Sequence, residues 1–302
     1  MGRRAQSGYA PRPVSRSRLH NPGRTISLRL GSLEMEAFSI SGLSTFVLVP
    51  AFDACFDLGH CSVEASHLRH VVLSHVHQDH ALGVVRHLSL RAMTGARPSR
   101  IYLPAESRDA LIDVLRAQER LERKAPADLE PVVHGVAAGE TFSLAAHRKV
   151  RVFDVTHRIP SRGYTVIETR RKLKPAFLGL PGPAIREAHE RGEELYDHRE
   201  VNVLTYIGDS TLDTLERHPE VGESEILFLE ATHLPGTGRE MSAKYGHTHL
   251  DELAELFLRR PEALASRYVV LKHFSMKYGK DDILAAVAGL PEGLRERVTV
   301  LV

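Results

Sequence analysis

The chain has 302 residues, of which 42% are hydrophobic and 26% charged, so it can build a large core and is not disordered throughout. Its 40 Lys and Arg residues against 38 Asp and Glu residues give a net charge of +2. That total conceals an asymmetry: residues 1–33 contain seven arginines and no acid, and the remainder carries a charge of −5. General basicity is therefore no argument for nucleic-acid binding.

The Arg-, Ser- and Pro-rich start of the chain predicts a disordered basic leader over residues 1–25, followed by a single domain over residues 26–302. Cys55 and Cys61 cannot form a disulfide framework, and no apolar run approaches the roughly 18 residues of a membrane span. We expect a cytoplasmic protein with no membrane partner. The acid-free leader also resembles an organellar transit peptide, and an unstructured extension explains it equally well.

Short β-prone runs broken by Gly or Pro predict an N-terminal meander at 26–30, 38–42 and 45–50. Strands and helices then alternate along the chain. The predicted strands are 70–74, 100–104, 149–155, 164–169, 201–208, 225–230 and 268–272, and the predicted helices are 81–88, 106–124, 250–258 and 281–290.

Two segments carry more specific expectations. In the helix over 106–124, the residues Leu111, Val114, Leu115 and Leu121 are predicted to share one apolar face. The segment 170–200 has a basic run, then Gly-Leu-Pro-Gly-Pro, then a short helix-like stretch. It is predicted to be a functional or mobile loop, because loops of this length are uncommon inside a compact domain.

Histidine or acidic residues follow five of the predicted strands. The strand over 70–74 is followed by His75, His77, Asp79 and His80, and the later strands end in His157, Asp209, Glu230 and His273. Open α/β sheets collect ligand-binding groups at the C-terminal edge of their strands. One such histidine is usually a surface or core residue, but five strand ends with the same chemistry indicate a common site.

The run His-x-His-x-Asp-His at 75–80 has metal-ligand spacing. Side chains alternate in an extended loop, so His75 and His77 fall on one side and can bind one cation together. Asp79 and His80 can turn towards a second cation. Imidazole and carboxylate ligands suit zinc, and paired metals clamp the oxygens of a phosphoryl displacement.

The motif Ser-His-Val-His-Gln-Asp-His at 74–80 resembles that of the metallo-β-lactamase-fold hydrolases. The later blocks resemble ribonuclease Z, the tRNA 3′-processing endonuclease, in its short plant-type form. The resemblance runs from about residue 35 to the C-terminus. It rests on FDLG (56–59), THRIPSRGYTVIET (156–169), YIGDS (206–210), LFLEATH (227–233), YGHTHLDE (245–252) and KHFSMKY (272–278).

The resemblance implies an α/β fold, a metallo-β-lactamase-like αββα sandwich of two mixed sheets with outer helices. It also implies two zinc ions per subunit. One would be held by His75, His77 and His157, the other by Asp79, His80 and His273, with Asp209 bridging them. Asp79 would orient or deprotonate the bridging water, His247 would protonate the leaving 3′ oxygen, and Glu230 would orient His247 and raise its pKa.

The function implied is removal of the 3′ trailer of precursor tRNA by metal-bound hydroxide, leaving a tRNA 3′-hydroxyl and a trailer 5′-phosphate. Ser275 and Tyr278 resemble residues that meet the substrate phosphate. Lys277 stands where many family members have Arg, and so offers a point charge in place of a bidentate fork. The implied partners are precursor tRNA and a second copy of the chain in a homodimer.

The basic run from Arg158 to Lys174 is interpreted as a phosphate-backbone contact, because it leaves the strand pair that supplies His157. Its members in the 170–200 segment are Arg170, Arg171, Lys172 and Lys174. Two alternatives stay open: a binuclear-metal hydrolase of a small phosphodiester or ester on the same fold, and an RNA-binding relative without activity. The complete ligand set argues against the second.

Overall fold

The predicted N-terminal meander is present and continues into a sheet of seven strands. In this computed structural model, which describes residues 25–302, the strands of the first sheet are β1 (Ile26–Leu30), β2 (Leu33–Ile40), β3 (Ser44–Val49), β4 (Ala54–Leu58), β5 (His70–Val72), β6 (Arg100–Pro104) and β7 (Val133–Val136). They lie in chain order. The pairs from β1 to β4 are antiparallel and those from β4 to β7 are parallel.

The second sheet repeats this plan. Its strands are β8 (Thr141–Ala145), β9 (Arg148–Asp154), β10 (Arg162–Leu173), β11 (Tyr196–Tyr206), β12 (Ile226–Glu230), β13 (Tyr268–Lys272) and β14 (Val298–Val300). The pairs from β8 to β11 are antiparallel and those from β11 to β14 are parallel. In both sheets the parallel strands place several C-terminal ends at one edge, where the predicted site lies.

Helices cover the outer faces of both sheets. They are α1 (Val63–His67), α2 (Gln78–Ala81), α3 (Gly83–Met93), α4 (Arg108–Leu121), α5 (Gly182–Glu190), α6 (Asp213–Arg217), α7 (Arg239–Tyr245), α8 (Leu250–Arg259), α9 (Lys280–Ala288) and α10 (Glu292–Arg295). Helix α8 begins with a capping box in which the His249 side chain and Glu252 satisfy each other's backbone amides. None of the helices within residues 25–302 combines the length and apolarity needed to cross a bilayer.

The hydrophobic core of the described residues consists of three clusters of buried side chains. Between the sheets, residues such as Val47 and Phe56 of the first sheet pack with Leu204 and Phe228 of the second. The outer face of the second sheet packs against α8 and α9, and the outer face of the first sheet packs against α3 and α4. This stacking is the αββα sandwich that the resemblance implies, and the predicted fold class is confirmed.

The predicted apolar face of α4 is only partly correct. Leu111 and Leu115 are buried in the core, but Val114 and Leu121 are exposed. Residues 114 and 121 lie on the flank of the helix at 3.6 residues per turn, beyond the stripe that faces the sheet.

The segment 170–200 is not the loop that the sequence predicts. Strand β10 runs on to Leu173 and β11 starts at Tyr196, with Arg170 opposite Arg199 and Lys172 opposite Asp197. Strand β9 pairs with β10 only as far as Glu168, so beyond that point β10 pairs with β11 alone. We call this two-stranded extension with its connecting helix α5 the arm. The basic leader, apart from residue 25, lies outside the described residues, and the expectations for it stay predictions.

Candidate metal centre and active site

The strand ends bring the predicted ligands together. His75 follows β5, His157 follows β9, Asp209 follows β11 and His273 follows β13, while His77 precedes helix α2. Within each of three groups, one candidate ligand atom per residue lies within 4.8 Å of the others. The groups are His75, His77, His157 and Asp209; Asp79, His80 and His273; and Asp209, His247 and His273.

In the first group three imidazole nitrogens converge. Nδ1 of His77 lies 3.0 Å from Nε2 of His75 and 3.3 Å from Nε2 of His157. In the second group, Nε2 of His273 lies 3.1 Å from Nε2 of His80 and 3.3 Å from Oδ2 of Asp79. That Asp79 oxygen also accepts a hydrogen bond from the Gly42 amide at 2.7 Å, which ties it to the turn between β2 and β3.

Asp209 lies between the two groups. Its Oδ1 is 3.3 Å from Nε2 of both His80 and His273, and its Oδ2 is 3.7 Å from Nε2 of His75. The carboxylate is 3% exposed, and within the described residues Oδ1 receives no hydrogen bond. A buried carboxylate oxygen without a hydrogen-bond donor, with histidine nitrogens on two sides, is placed to bind a cation.

Hydrogen bonds outside the cluster fix which ring nitrogen faces inwards. Nδ1 of His157 lies 2.8 Å from the Gly246 carbonyl oxygen, and Nδ1 of His80 lies 2.8 Å from Oδ2 of Asp57. Because a carbonyl or carboxylate can only accept, both histidines donate from Nδ1 and turn Nε2 towards the cluster.

Two hydroxyl groups extend this control to the other histidines. Ser74 donates to Asp57 at 2.9 Å, so its oxygen accepts from Nδ1 of His75 at 3.0 Å. Thr232 donates to Glu230 at 2.6 Å, so its oxygen accepts from Nδ1 of His273 at 3.0 Å. His75 and His273 therefore also present Nε2 inwards, as outer-shell partners of metal-binding histidines require.

Close packing supports the Ser74 relay. A Cβ atom added to Gly208 would lie 2.2 Å from Oγ of Ser74, so only glycine fits at this point of the turn after β11. Gly208 thus packs directly on Ser74, the residue that orients His75, and this contact places the following Asp209 at the cluster.

Burial lowers the pKa of His75, His77, His157 and His273, which favours the neutral imidazole that binds metals. Burial acts in the same direction on His80, but the carboxylates of Asp209 and Asp57 outweigh it and raise its pKa to about 10. A cation that binds at His80 must therefore displace the second proton from Nε2. Burial also opposes ionisation of Asp79 and Asp209. The histidines around them hold the pKa of Asp79 at about 2 and that of Asp209 well below its usual range. This concentration of buried negative charge and inward lone pairs suits divalent cations.

His247 and Glu230 form a hydrogen-bonded pair beside the cluster. Nδ1 of His247 lies 2.8 Å from Oε1 of Glu230 and 4.0 Å from Oδ2 of Asp209. Glu230 is fully buried and also accepts hydrogen bonds from the backbone amides of Ser210 and Thr232. Burial disfavours protonation of His247, but the Glu230 carboxylate prevails and raises the pKa of His247 to about 9. The pair can therefore hold a proton on His247 at neutral pH.

Two of the predicted phosphate contacts, Lys277 and Tyr278, contact the 234–237 turn beside the site. The hydroxyl of Tyr278 meets the Leu234 amide at 3.1 Å and the Thr237 hydroxyl at 2.5 Å, and Nζ of Lys277 donates to the Thr237 hydroxyl at 2.9 Å. The Ser275 amide donates to the Thr232 carbonyl. Tyr278 and Lys277 thus hold the 234–237 turn, and this turn accepts a hydrogen bond from His249 at the Thr237 carbonyl.

The basic run of the arm is partly neutralised. Arg170 lies 3.5 Å from both Glu168 and Glu225, and Lys174 lies 2.8 Å from Glu194. Arg171 and Lys172 are exposed and make no ion pair within residues 25–302, although Arg171 lies over the ring of Tyr196 at 5.4 Å. Arg162 is buried and paired with Glu106 and Asp154, so it does not belong to the exposed run.

Three residues of the site escape sequence reasoning: Asp57, Ser74 and Thr232. Asp57 stands in the Phe-Asp-Leu-Gly block, at the end of a strand that the sequence analysis does not identify. The same strand-end rule applied to residues 54–58 would have found it. Ser74 and Thr232 stand in motifs that carry the resemblance, but their role as links depends on Asp57 and His273, which are distant in the sequence.

Similarity to known proteins indicates the family of the chain. No family model matches the chain. The tRNase Z TRZ1 of Arabidopsis thaliana is 28% identical over 278 residues, which cover 91% of this chain and 97% of the relative. The nuclear ribonuclease Z of Triticum aestivum is 33% identical over 171 residues, which cover 56% of this chain and 94% of the relative. Among solved structures, the metallo-β-lactamase fold protein YhfI of Bacillus subtilis matches with a TM-score of 0.54 at 14% identity, over 87% of this chain and 93% of its own.

The structural match shows the fold alone, and the sequence matches show the family. The wheat relative lies almost wholly within the span of this chain, at an identity above 30%. The ligand cluster, its orienting hydrogen bonds and the His247–Glu230 pair lie on the motifs from which the resemblance was drawn. The chain belongs to the ribonuclease Z family.

Proposed function

We propose that the chain is a metal-dependent endoribonuclease that removes the 3′ trailer of precursor tRNA, leaving a tRNA 3′-hydroxyl and a trailer 5′-phosphate. The observation that carries this proposal is the convergence of two histidine-rich groups on buried Asp209, beside the His247–Glu230 pair. A metal centre of this kind would serve many phosphodiesters or esters equally well. The choice of precursor tRNA as the substrate therefore rests on membership of the ribonuclease Z family.

The residues proposed to hold the metals are those of the two groups. His75, His77 and His157 would hold one ion, and Asp79, His80 and His273 the other, with Asp209 shared. When bound, two ions of this kind activate water and neutralise the charge that develops on a phosphoryl group in displacement. Zinc is the proposed metal, because five of the seven ligands are imidazoles.

Asp79 is proposed to position the attacking water. Its Oδ2 is held by the Gly42 amide and faces His273, so the carboxylate is fixed at the edge of the cluster. At a pKa of about 2 it is ionised at neutral pH, despite burial, because His273 and His80 favour the charged form. An ionised carboxylate in this place can accept a hydrogen bond from water, so that a lone pair of the water oxygen points at phosphorus.

His247 is proposed to protonate the 3′ oxygen that leaves from the tRNA. Its Nδ1–H is held by Glu230, so the opposite ring nitrogen carries the proton to be donated. Glu230 is itself locked by two backbone amides and by Thr232, and it serves as a positioning residue that keeps the imidazole charged and correctly turned.

The proposed substrate contacts lie after His273 and in the arm. Ser275, Lys277 and Tyr278 lie directly after the ligand His273, and Lys277 brings a cation close to the site. In the arm, Arg171 and Lys172 are the exposed cations that can follow a phosphate backbone. Arg170 and Lys174 would first have to leave their carboxylate partners. A homodimer is part of the proposal on the family resemblance alone, and light scattering of the purified protein tests it.

The deciding experiment is incubation of the purified protein with a precursor tRNA, followed by mapping of both product ends, with and without chelator. A 3′-hydroxyl at the tRNA end, lost with chelator and restored by zinc, is expected. Asp79→Ala should lose tenfold or more in rate, whereas Asp113→Ala, which changes an exposed carboxylate on α4, should not. Hydrolysis of a small phosphodiester with no cleavage of precursor tRNA would overturn the proposal in favour of the alternative. So would Asp79→Ala with the activity of the unaltered protein.

A further inference from the structure

A cluster of one aromatic and two cationic side chains lies at the rim of the site. Cζ of Arg158 lies 5.7 Å from the ring centroid of Tyr245, and Nζ of Lys244 lies 5.3 Å from the same centroid. Arg158 and Lys244 are exposed, and the ring of Tyr245 is half-buried. We call these three residues the rim cluster. At this distance a tyrosine ring attracts both cations and limits their freedom.

The rim cluster is tied to the site through the backbone. Arg158 directly follows the candidate ligand His157, and Tyr245 is two residues before His247. Gly246 lies between them, and its carbonyl accepts the hydrogen bond from Nδ1 of His157. Gly246 has a φ of +71°, and a Cβ atom there would lie 3.0 Å from Nδ1 of His157 and 3.3 Å from Cγ of Arg158. The cluster and the site therefore form one packed unit.

The two cations of the rim cluster have no carboxylate partner in the part of the chain that the structure describes. Within residues 25–302, neither Arg158 nor Lys244 makes an ion pair. On the neighbouring surface, beyond His247, the exposed arginines are neutralised: Arg239 pairs with Glu255 at 2.6 Å and Arg259 pairs with Glu216 at 3.1 Å. Among the described residues, the side where His157 and Tyr245 meet thus carries uncompensated positive charge, whereas the paired arginines beyond His247 do not.

We propose that the rim cluster is a phosphate-binding subsite for single-stranded RNA. Arg158 and Lys244 would bind the backbone phosphate next to the scissile one, and Tyr245 would hold both cations in place for it. The inference rests on the proposed function, since it assigns the flanking contact of that same reaction. A guanidinium binds phosphate through two parallel hydrogen bonds, and cations held in advance lose less entropy on binding.

The test compares Arg158→Gln/Lys244→Gln with the unaltered protein on precursor tRNA over a range of salt concentrations. KM is expected to rise about tenfold at moderate salt, and the dependence of log KM on log salt should become shallower by about one to two. On bis(4-nitrophenyl) phosphate, which has no neighbouring phosphate, the loss should be at least about fivefold smaller. The matched control is Arg239→Gln/Arg259→Gln, which removes the same charge from ion-paired positions and should leave the salt dependence unchanged.

Substitutions of Tyr245 test whether its ring positions the two cations or contacts the RNA itself. Tyr245→Ala should raise KM for precursor tRNA while leaving the salt dependence nearly as steep, because both cations remain. Tyr245→Phe keeps the aromatic face and should restore KM.

Unchanged KM and salt dependence in Arg158→Gln/Lys244→Gln would overturn the inference. An equal loss on both substrates would also overturn it, because that pattern belongs to a structural role. Failure of the unaltered protein to cleave precursor tRNA would instead refute the proposed function, so the two failures are distinguishable.

Discussion

Oδ2 of Asp57 lies 2.8 Å from Nδ1 of His80, and this buried hydrogen bond decides how His80 can serve the site. The same oxygen also accepts hydrogen bonds from Tyr206 at 2.6 Å and Ser74 at 2.9 Å. Because the carboxylate can only accept, His80 is held as a donor on its outer nitrogen and turns Nε2, its candidate ligand atom, towards Asp209 and His273. Asp57 binds no metal in this arrangement, yet it orients two candidate ligands.

Replacing Asp57 by Asn should weaken metal binding. The amide of Asn can donate to Nδ1 of His80, which would place the proton on Nε2 and remove the ligand lone pair. We expect a loss of about ten- to a hundredfold in zinc affinity, as for other outer-shell substitutions. Competition with a chromophoric chelator measures this directly. Asp113→Asn on the exposed side of α4 is the control, and equal affinity in the two variants would contradict the role of Asp57.

Ser74→Ala should have a narrower effect than Asp57→Asn. It removes the hydroxyl that links Asp57 to His75 but leaves the direct bond to His80. Metal binding at the His75, His77 and His157 group should weaken, while the other group is retained, so the first of two zinc ions should be lost at a lower chelator concentration. Stepwise zinc release followed by metal analysis tests this. Zinc release at the same chelator concentrations as from the unaltered protein would show that the relay does not matter.

His247→Ala should slow the cleavage of RNA far more than that of an activated diester. A general acid contributes about a hundredfold or more when the leaving oxygen needs a proton. Nitrophenolate departs without protonation, so bis(4-nitrophenyl) phosphate should be hydrolysed at a rate within a few fold of the unaltered rate. Glu230→Gln should show the same selectivity more weakly. Equal losses on both substrates would mean that His247 acts on binding or on the nucleophile rather than on the leaving group.

His87 should make stability fall as pH falls from about 6.5 towards 4. It is fully buried on α3, with its Nε2 2.7 Å from the Ser99 hydroxyl, and burial lowers its pKa to about 4. Between its ordinary pKa and 4, the unfolded chain takes up a proton that the folded chain refuses, so unfolding becomes easier as pH decreases. The slope approaches about 1.4 kcal/mol per pH unit.

His87→Gln removes this titration while keeping a side chain that can reach Ser99. The free energy of unfolding, measured in denaturant at several pH values, should decrease less steeply with acid in the variant. The difference between the two proteins is the informative quantity, because other buried histidines titrate in both. Parallel curves for the two proteins would rule out His87 as a source of acid sensitivity.

The arm offers a paired comparison. Arg171→Gln/Lys172→Gln removes exposed cations without ion-pair partners in the described chain, whereas Arg170→Gln/Lys174→Gln removes cations already neutralised by Glu225 and Glu194. If the arm contacts RNA, the first pair should lower affinity for precursor tRNA and its salt dependence more than the second. A filter-binding titration at several salt concentrations measures both. Equal effects would show that the ion pairs do not survive in the complex.

Much of the site follows from short stretches of sequence. The histidines and acids at 75–80, 157, 209 and 273 are recognisable because each follows a buried strand, and parallel strands bring their C-terminal ends to one edge. The fold class follows from the same alternation and from the family resemblance. These features depend on residues that are close together in the sequence, so local sequence patterns predict them.

The sequence by itself determined which residues make up the candidate site, and the tertiary structure decided how each is held. The inward-facing nitrogens of His80 and His273 depend on Asp57 and Thr232, which lie 23 and 41 positions away in the sequence. That of His75 depends on its neighbour Ser74, whose hydroxyl is turned by Asp57 from another strand. The arm consists of paired strands because the antiparallel pairing of β10 and β11 continues beyond the rest of the sheet. No local sequence pattern indicates that pairing. Arg158 became distinct from Arg162 for the same reason, one being exposed over Tyr245 and the other buried against Glu106. Hydrogen bonds and ion pairs act over a few ångströms, and only the folded chain brings residues distant in sequence within that range.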